Sequence, residues 1–259
     1  MNKSKAKILL LDIETAPAIS YTWGLYDQNI GINQIVKDGY VLCWCAKWLG
    51  AQDILSDALV NYPKRYKKNP CDDSAIAKSI HSLMEQADIV VTHNGNSFDL
   101  KWLNTIFINN GLPPTNPNKS VDTCVEARKH FRFLSNKLDF LSQKFDFGKK
   151  IDTGGFELWT GCMNGDAKCW RNMVVYCKHD VRLLEKLYVK LRPYIKSHPN
   201  LNLYEKKPVN KCPKCASHAV QRRGYEIKRS NKYQRFQCQD CGSWFSSNVK
   251  APKGESHEE

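Results

Sequence analysis

An apolar run that ends in two acids sets the first limit on the fold of this chain. Residues 8–11 are all Ile or Leu, with Lys7 before them and Asp12 after them. So short an apolar run predicts a strand that is buried inside a sheet. Side chains alternate along a strand, so Asp12 and Glu14 share one face while Ile13 points into the opposite layer.

Later segments alternate between strand and helix patterns. Short apolar runs predict further strands at residues 39–48, 53–60 and 88–92. Apolar residues at helical spacing predict helices around residues 76–84, 98–110, 122–133, 137–147 and 167–195. Strands come first and helices alternate later, which predicts an α/β domain with a mixed sheet flanked by helices over residues 1–195.

Composition narrows the class of protein. The chain has 259 residues, which allows one large domain with a small appendage, and its 42% of hydrophobic residues suffices for a core. Lys and Arg outnumber Asp and Glu by 39 to 26, and the net charge of +13 favours a polyanionic partner. No apolar run approaches the ~18 residues of a membrane span, so we expect a cytoplasmic protein without membrane contact.

Two more acids follow in predicted helices. Asp99 opens the helix after the last predicted strand, and Asp180 lies one turn after Tyr176 on an apolar helix face. Each acid alone has a plain explanation, namely a solvated strand end for Asp12 and Glu14 and the helix dipole for Asp99. Together they indicate a divalent metal site, since adjacent carboxylates repel unless a cation lies between them.

The order of these residues resembles the three sequence motifs of the DEDD exonuclease superfamily, in its tyrosine (DEDDy) subclass. The matching residues are Asp12, Glu14 and Thr15, then Asn94, Phe98 and Asp99, then Tyr176 and Asp180. The histidine subclass has its histidine five residues before the last acid, where this chain has Val175, so His179 is not that residue. The resemblance covers residues 6–195. It implies an RNase H-like fold and a freestanding nuclease, similar to phage and bacterial relatives of polymerase proofreading domains.

The same resemblance implies two-metal phosphodiester hydrolysis in the 3′→5′ direction. Asp12, Glu14 and Asp180 would hold one Mg²⁺ or Mn²⁺ ion, and Asp12 would bridge to a second ion that Asp99 supports. Tyr176 would orient the attacking water, because a phenol with a pKa near ~10 is a poor base. The implied enzyme releases nucleotides from DNA, with single-stranded ends favoured. An RNase D-like exoribonuclease and a catalytically idle binding or recruiting protein stay open as alternatives.

Weaker signals surround the acids. By the resemblance, Thr15, Asn94 and Phe98 would contact the end of the substrate strand, with Phe98 as a wedge against a base. Core packing is the alternative for Phe98. Lys149 and Lys150 lie in a glycine-flanked basic loop that favours phosphate contacts, and a solvated surface is the alternative for them.

Four of the 11 cysteines form two Cys-x-x-Cys pairs separated by 22 residues, and the four are Cys212, Cys215, Cys238 and Cys241. This spacing predicts one structural Zn²⁺ in a zinc ribbon over residues 211–250, and a disulfide or redox motif is the alternative. A polar linker at residues 196–210 would precede the ribbon, and a disordered tail at residues 251–259 would follow it.

The ribbon segment is strongly basic. Residues 206–253 contain 12 Lys and Arg against two acids, a net charge of +10, and four thiolates with one Zn²⁺ reduce it to about +8. Arg222, Arg223 and Arg235 are interleaved with aromatic residues, which favours binding of a nucleic-acid backbone and its bases. A protein partner is the alternative, and the oligomeric state is not predicted.

Overall fold

A computed structural model describes residues 6–205, 211–229 and 231–250, without the side chains of residues 248–250. The predicted tail at residues 251–259 and the end of the predicted linker, residues 206–210, lie outside the described part. The chain divides into two compact units. The larger is Lys7–Tyr188, and Val189–Glu259 belongs to the smaller. The domain bounds at residues 195 and 210 stay predictions.

The described residues of the larger unit form seven strands, which are β1 (Ile8–Ala16), β2 (Ile19–Ser20), β3 (Ile35–Lys37), β4 (Tyr40–Trp48), β5 (Leu55–Ala58), β6 (Ile89–Thr92) and β7 (Lys119–Asp122). Five of them make one sheet in the order β5-β4-β1-β6-β7. β4 and β5 run antiparallel to their neighbours, whereas β1, β6 and β7 are mutually parallel. The predicted fold class, a mixed α/β sheet flanked by helices, is confirmed.

The helices are α1 (Pro63–Lys68), α2 (Ser74–Met84), α3 (Asp99–Asn109), α4 (Thr123–His130), α5 (Leu138–Lys144), α6 (Glu157–Met163) and α7 (Ala167–Leu191). The sequence patterns missed β2, β3, β7, α1 and α6. Helix α1 buries no residue and therefore has no apolar face to detect. Strand β7 is only four residues long, and two of them are exposed.

The sheet brings three polar strand ends to one edge. Leu9, Leu10 and Leu11 of β1 are fully buried, as are Val90 and Val91 of β6, so the central strands pass through the core. Because β1, β6 and β7 are parallel, their carboxyl ends meet at the same edge of the sheet. We call this the catalytic edge, after the role that the sequence resemblance implies for its acids. It is where Asp12, Glu14 and Asp122 lie.

The smaller unit contains a three-stranded antiparallel sheet of β8 (Val220–Lys228), β9 (Asn231–Cys238) and β10 (Trp244–Lys250), in the order β10-β9-β8. The Phe236 ring stacks on Phe245 at 5.4 Å and supplies part of its core. Part of the predicted linker is ordered, because Leu201 is buried and its N–H donates to the Pro213 carbonyl. Among the described residues, no helix has the length and apolarity to cross a membrane.

Candidate active site and cysteine cluster

Strand β1 carries the first pair of acids at its carboxyl end. The pairing of β1 with β4 shifts register between Glu14 and Thr15, which marks a β-bulge. Bulges bend a strand and redirect its side chains, and they are frequent beside active sites. The sequence predicted that Asp12 and Glu14 share a face but gave no signal for the bulge.

Asp99 reaches β1 from the first turn of α3. Its carboxylate accepts a hydrogen bond at 3.1 Å from the N–H of Ile13, the residue between Asp12 and Glu14. The side chain is buried, and such a residue at a helix start also favours the helix dipole. Asp99 therefore fits both interpretations from the sequence. It lies at a helix start, where it favours the helix dipole, and it also contacts the strand that carries Asp12 and Glu14.

Tyr176 and Asp180 project from α7 and meet Lys150. The Lys150 ammonium donates to the Tyr176 hydroxyl at 3.0 Å and forms an ion pair with Asp180. The loop that carries Lys150 is fixed at two points. Asp139 accepts the Lys150 N–H at 2.9 Å, and the His179 ring bonds the Lys149 carbonyl at 2.7 Å.

The electrostatics show that the four acids share one environment. Burial raises the pKa of Asp12 well above its usual value, and the charges of Asp99, Glu14 and Asp180 raise this pKa further. Burial, followed by the Asp180 charge, raises the pKa of Glu14 to about 8. Burial likewise raises the pKa of Asp99 to about 7. A cluster of this kind holds protons near neutral pH unless cations replace them.

One cation in the cluster belongs to the protein. Burial lowers the pKa of the Lys150 ammonium, but the Asp180 charge and two hydrogen bonds outweigh burial and raise that pKa overall. Burial also raises the pKa of Asp180, against the opposing effect of Lys150. The Lys150 charge therefore neutralises only one of the four carboxylates.

Two carboxylate oxygens in the cluster are buried without a hydrogen-bond partner among the described residues, Oδ2 of Asp12 and Oδ1 of Asp180. Buried oxygens of this kind fit hard cations such as Mg²⁺ or Mn²⁺. Ligand atoms of Asp12, Glu14 and the buried Cys177 thiol also lie within 4.8 Å of one another. The sequence analysis did not include Cys177, although it follows Tyr176 directly.

A loop after β6 is held to the catalytic edge by Asp122. The buried Asp122 carboxylate accepts the N–H groups of Asn94 at 2.8 Å and Asn96 at 3.0 Å. It also caps α4 through the N–H groups of Cys124 and Val125. Sequence reasoning missed the contacts with the loop, because they join residues 26 and 28 positions apart.

The remaining predicted substrate contacts of this unit lie near the cluster along the chain. Thr15 follows the bulge, and Asn94 has a left-handed backbone with φ of 66°. Phe98 is 41% exposed, which disfavours the core-packing alternative. Lys149 is exposed, whereas Lys150 bonds Tyr176 and Asp180, so a purely solvated lysine pair is excluded.

The four ribbon cysteines lie together in the smaller unit. The Sγ atoms of Cys212 and Cys241 are 3.6 Å apart, as are those of Cys215 and Cys238, and all four lie within 4.8 Å. Tetrahedral Zn²⁺ with bonds of about 2.3 Å places its sulfurs about 3.8 Å apart, so the cluster fits zinc.

Arg222 and Arg223 are exposed on β8. Arg235 donates to the Arg223 carbonyl and covers the Trp244 ring at 5.1 Å, so it is partly committed within the unit.

Comparison with solved structures supports the fold. The chain resembles the family B DNA polymerase from the hyperthermophilic archaeon Pyrobaculum calidifontis, with a TM-score of 0.52 and 17% sequence identity. The match covers 74% of this chain and 25% of the polymerase chain, so this protein spans about a quarter of that length. At this identity the likeness concerns the fold alone. A search of curated proteins finds no match.

Comparison with family models identifies the larger unit. The model of the RNase H superfamily matches residues 45–192, more than half of the chain. The matched span contains Asp99, Tyr176 and Asp180, and it begins after Asp12 and Glu14. The chain therefore belongs to the RNase H superfamily.

Proposed function

We propose that the protein is a metal-dependent 3′→5′ exonuclease of the DEDDy type that removes nucleotides from DNA, preferring single-stranded ends. The supporting observation is the cluster of four carboxylates beside the Tyr176 hydroxyl. Two of its buried oxygens, Oδ2 of Asp12 and Oδ1 of Asp180, have no hydrogen-bond partner among the described residues. A solvated group of acids would have neither the burial nor the raised pKa values.

The acids would hold two divalent ions. Asp12, Glu14 and Asp180 would bind one Mg²⁺ or Mn²⁺, and Asp12 would share a second with Asp99. When bound, such ions neutralise the carboxylates, activate a water and stabilise the leaving 3′ oxygen. The raised pKa of Glu14 means that ion binding competes with protons in the neutral range.

The other side chains would position the reacting groups. Burial raises the pKa of Tyr176 to about 12, so its hydroxyl stays protonated and would orient the attacking water. When metal ions occupy the carboxylates, the Lys150 ammonium would leave Asp180 and form an ion pair with the phosphate of the substrate. Asn94, Phe98 and Thr15 would hold the terminal nucleotide.

The smaller unit would add affinity. One structural Zn²⁺ held by Cys212, Cys215, Cys238 and Cys241 would stabilise the three-stranded sheet. The exposed Arg222 and Arg223 of β8 would contact phosphates, since the segment carries a large positive charge.

Labelled oligonucleotides test the proposal directly. Single-stranded DNA, duplex DNA and RNA, each labelled at either the 5′ or the 3′ end, are incubated with Mg²⁺, with Mn²⁺ or with chelator. We expect release of the 3′-terminal mononucleotide first, only with metal, and fastest from single-stranded DNA. Cleavage of RNA alone would indicate an exoribonuclease. Binding without cleavage under every condition would indicate a binding protein.

We expect Asp12→Ala or Asp180→Ala to reduce nucleotide release to less than a few per cent, because each would remove a metal ligand. Binding should persist in both variants. The matched control is Asp53→Ala, which removes an exposed carboxylate outside the cluster. Substantial activity in both Asp12→Ala and Asp180→Ala would contradict the two-metal assignment.

A further inference from the structure

A hairpin that leaves the catalytic edge has no role in the proposed chemistry. It comprises β2, β3 and the loop between them, residues 19–37, and begins three residues after the end of β1. Ile19 pairs with Lys37 and Ser20 with Ile35. The chain then returns to the sheet, where Tyr40 pairs with Ala16. The hairpin is therefore anchored beside Asp12 and Glu14 at both of its ends.

The loop of this hairpin exposes a dense group of large side chains. They are Tyr21 (74% exposed), Trp23 (97%), Leu25 (90%), Tyr26 (83%) and Ile32 (89%). Single exposed apolar residues are normal on a protein surface, but five large side chains that are each at least 74% exposed within residues 21–32 favour a binding surface.

Hydrogen bonds within the loop hold this shape. The Gln34 side chain donates to the Tyr21 carbonyl at 3.0 Å and accepts the Gly31 N–H at 2.8 Å, which closes the neck. Nearer the tip, the Gln28 side chain accepts the Gly24 N–H and donates to the Tyr26 carbonyl. A loop fixed in this way presents its aromatic rings without first being ordered by a ligand.

The charge of the hairpin indicates which part of a ligand it meets. The loop of the hairpin, residues 21–34, contains no Lys or Arg and one acid, Asp27, in a chain with a net charge of +13. The cation of the hairpin is Lys37 at its base, which lies over the Tyr40 ring at 5.1 Å. A surface that grips phosphates needs Lys or Arg. Three aromatic rings without cations instead suit the uncharged faces of nucleobases, on which stacking is tolerant of sequence.

A groove joins the hairpin to the α6 side of the catalytic edge. It has a volume of about 450 Å³ and runs between Pro17–Ser20 at the base of the hairpin and Phe156, Thr160 and Met163 in and beside α6. From the same helix, the Trp159 ring contacts the edge of the Tyr176 ring. The volume of the groove lies within the range of pockets that hold small organic molecules, so a nucleobase fits in it.

We propose that the hairpin of residues 19–37 is a base-stacking surface for unpaired nucleotides on the 5′ side of the nucleotide being removed. This inference rests on the proposed function, since it takes the 3′ end to lie at Asp12. Trp23, Tyr21 and Tyr26 stack on the bases, and the phosphates face away from the hairpin. The surface selects single strands, because bases in a duplex are not free to stack on it.

Binding of single-stranded DNA of two lengths tests the hairpin. Trp23→Ala and Tyr26→Ala are made in the Asp12→Ala background so that the DNA stays intact. Ile108→Ala, which removes another exposed apolar residue near the end of α3, is the control. We expect each hairpin variant to bind a strand of about 16 nucleotides roughly tenfold more weakly. A strand of about three nucleotides, too short to reach the loop, should bind all variants equally.

Abasic DNA identifies the bases as the ligand. A long strand that lacks bases at the positions facing the hairpin should bind the parent protein about tenfold more weakly, and Trp23→Ala should add little further loss.

Unchanged affinity of the hairpin variants for the long strand would overturn the inference. So would a change in oligomeric state, measured by light scattering, without a change in DNA binding, because the surface would then join two copies of the chain.

The two proposals can fail separately. Nucleotide release is measured in parallel with Asp12 restored. If no metal-dependent release occurs but the hairpin variants lose affinity for long single strands, the exonuclease proposal is wrong. The hairpin then still stacks on unpaired bases, but its position relative to a removed nucleotide is overturned. If release occurs and the hairpin variants bind DNA like the parent, the stacking surface is wrong and the exonuclease stands.

Discussion

Tyr176 is held in place by two neighbouring side chains. Its hydroxyl accepts a hydrogen bond from Lys150, its ring lies 5.1 Å from the same ammonium, and its edge meets Trp159 at 6.1 Å. The ring contacts fix its position, so the hydroxyl is the part available for chemistry. Burial raises its pKa to about 12, so the hydroxyl stays protonated near neutral pH, which favours orienting the water over abstracting its proton.

Tyr176→Phe separates these contributions. We expect nucleotide release to slow about 100-fold, because the hydroxyl that would orient the water is lost while the ring contacts stay. Mn²⁺ affinity, measured calorimetrically, should change little. Release at the rate of the parent enzyme would show that the tyrosine only packs and that the subclass assignment is wrong.

The pKa of Glu14 makes the stability of the metal-free protein depend on pH. An unfolded Glu titrates near ~4.3, whereas folded Glu14 titrates at about 8. Between these values the folded state holds the extra proton, so the free energy of unfolding falls as pH rises through the window. Asp99, with its pKa of about 7, adds to the same trend.

We expect urea unfolding in chelator to show lower stability at about pH 8 than at about pH 5, with a weaker dependence in Glu14→Gln. Glu157→Gln, at an exposed position on α6, serves as the control. Added Mn²⁺ should stabilise the parent more at the higher pH, where the ligands release their protons more readily. Equal pH dependence in the parent and Glu14→Gln would contradict the burial of this carboxylate.

At the scale of the element, one carboxylate joins three parts of the catalytic edge. Asp122 ends β7, caps α4 and holds the loop between β6 and α3. Its two oxygens accept different hydrogen bonds. Oδ1 accepts the N–H groups of Asn94, Cys124 and Val125, and Oδ2 accepts that of Asn96. The His93 ring adds hydrogen bonds with Thr123 and the Asn136 carbonyl.

Asp122→Asn distinguishes the loop from the helix cap. An amide can keep the hydrogen bonds of Oδ1, but its NH₂ group would face the Asn96 N–H, where two donors repel. We expect a loss of about 1–3 kcal/mol in stability and a lower rate of release, because the loop precedes Asp99. Asp122→Ala, which also removes the cap, should be less stable still. Unchanged turnover in Asp122→Asn would show that the loop does not position Asp99.

The elements predicted from sequence are those with a strong apolar period. β1, β4, β6, α3 and α7 have such a period, because each packs in the core. The same patterns placed Asp12 directly after the apolar run of β1, Asp99 in the first turn of α3 and Asp180 within α7. Interactions that depend on long-range geometry left no local pattern. The bulge after Glu14, the ion pair of Lys150 with Asp180 and the hydrogen bonds of Asp122 with the loop are of this kind.

At the scale of the whole molecule, the residues proposed for catalysis and the basic residues proposed to bind substrate lie in different units. Every residue proposed for catalysis lies in Lys7–Tyr188, whereas the cysteine cluster and the exposed Arg222 and Arg223 lie in the smaller unit. The proposed zinc should therefore affect substrate affinity more than the rate of the chemical step.

Salt dependence tests this division. Arg222→Gln with Arg223→Gln should weaken DNA binding and flatten the dependence of log K on log salt by about 0.7 to 0.9 for each phosphate that the protein no longer neutralises. Arg171→Gln, at an exposed position on α7, is the matched control for loss of charge.

Cys212→Ser should weaken DNA binding at least as much as the Arg222→Gln, Arg223→Gln pair, because a zinc site that lacks one thiolate leaves the unit largely unfolded. All variants should reach the parent rate at saturating DNA. Equal salt slopes and affinities throughout would mean that the smaller unit does not touch the substrate, and would favour a protein partner.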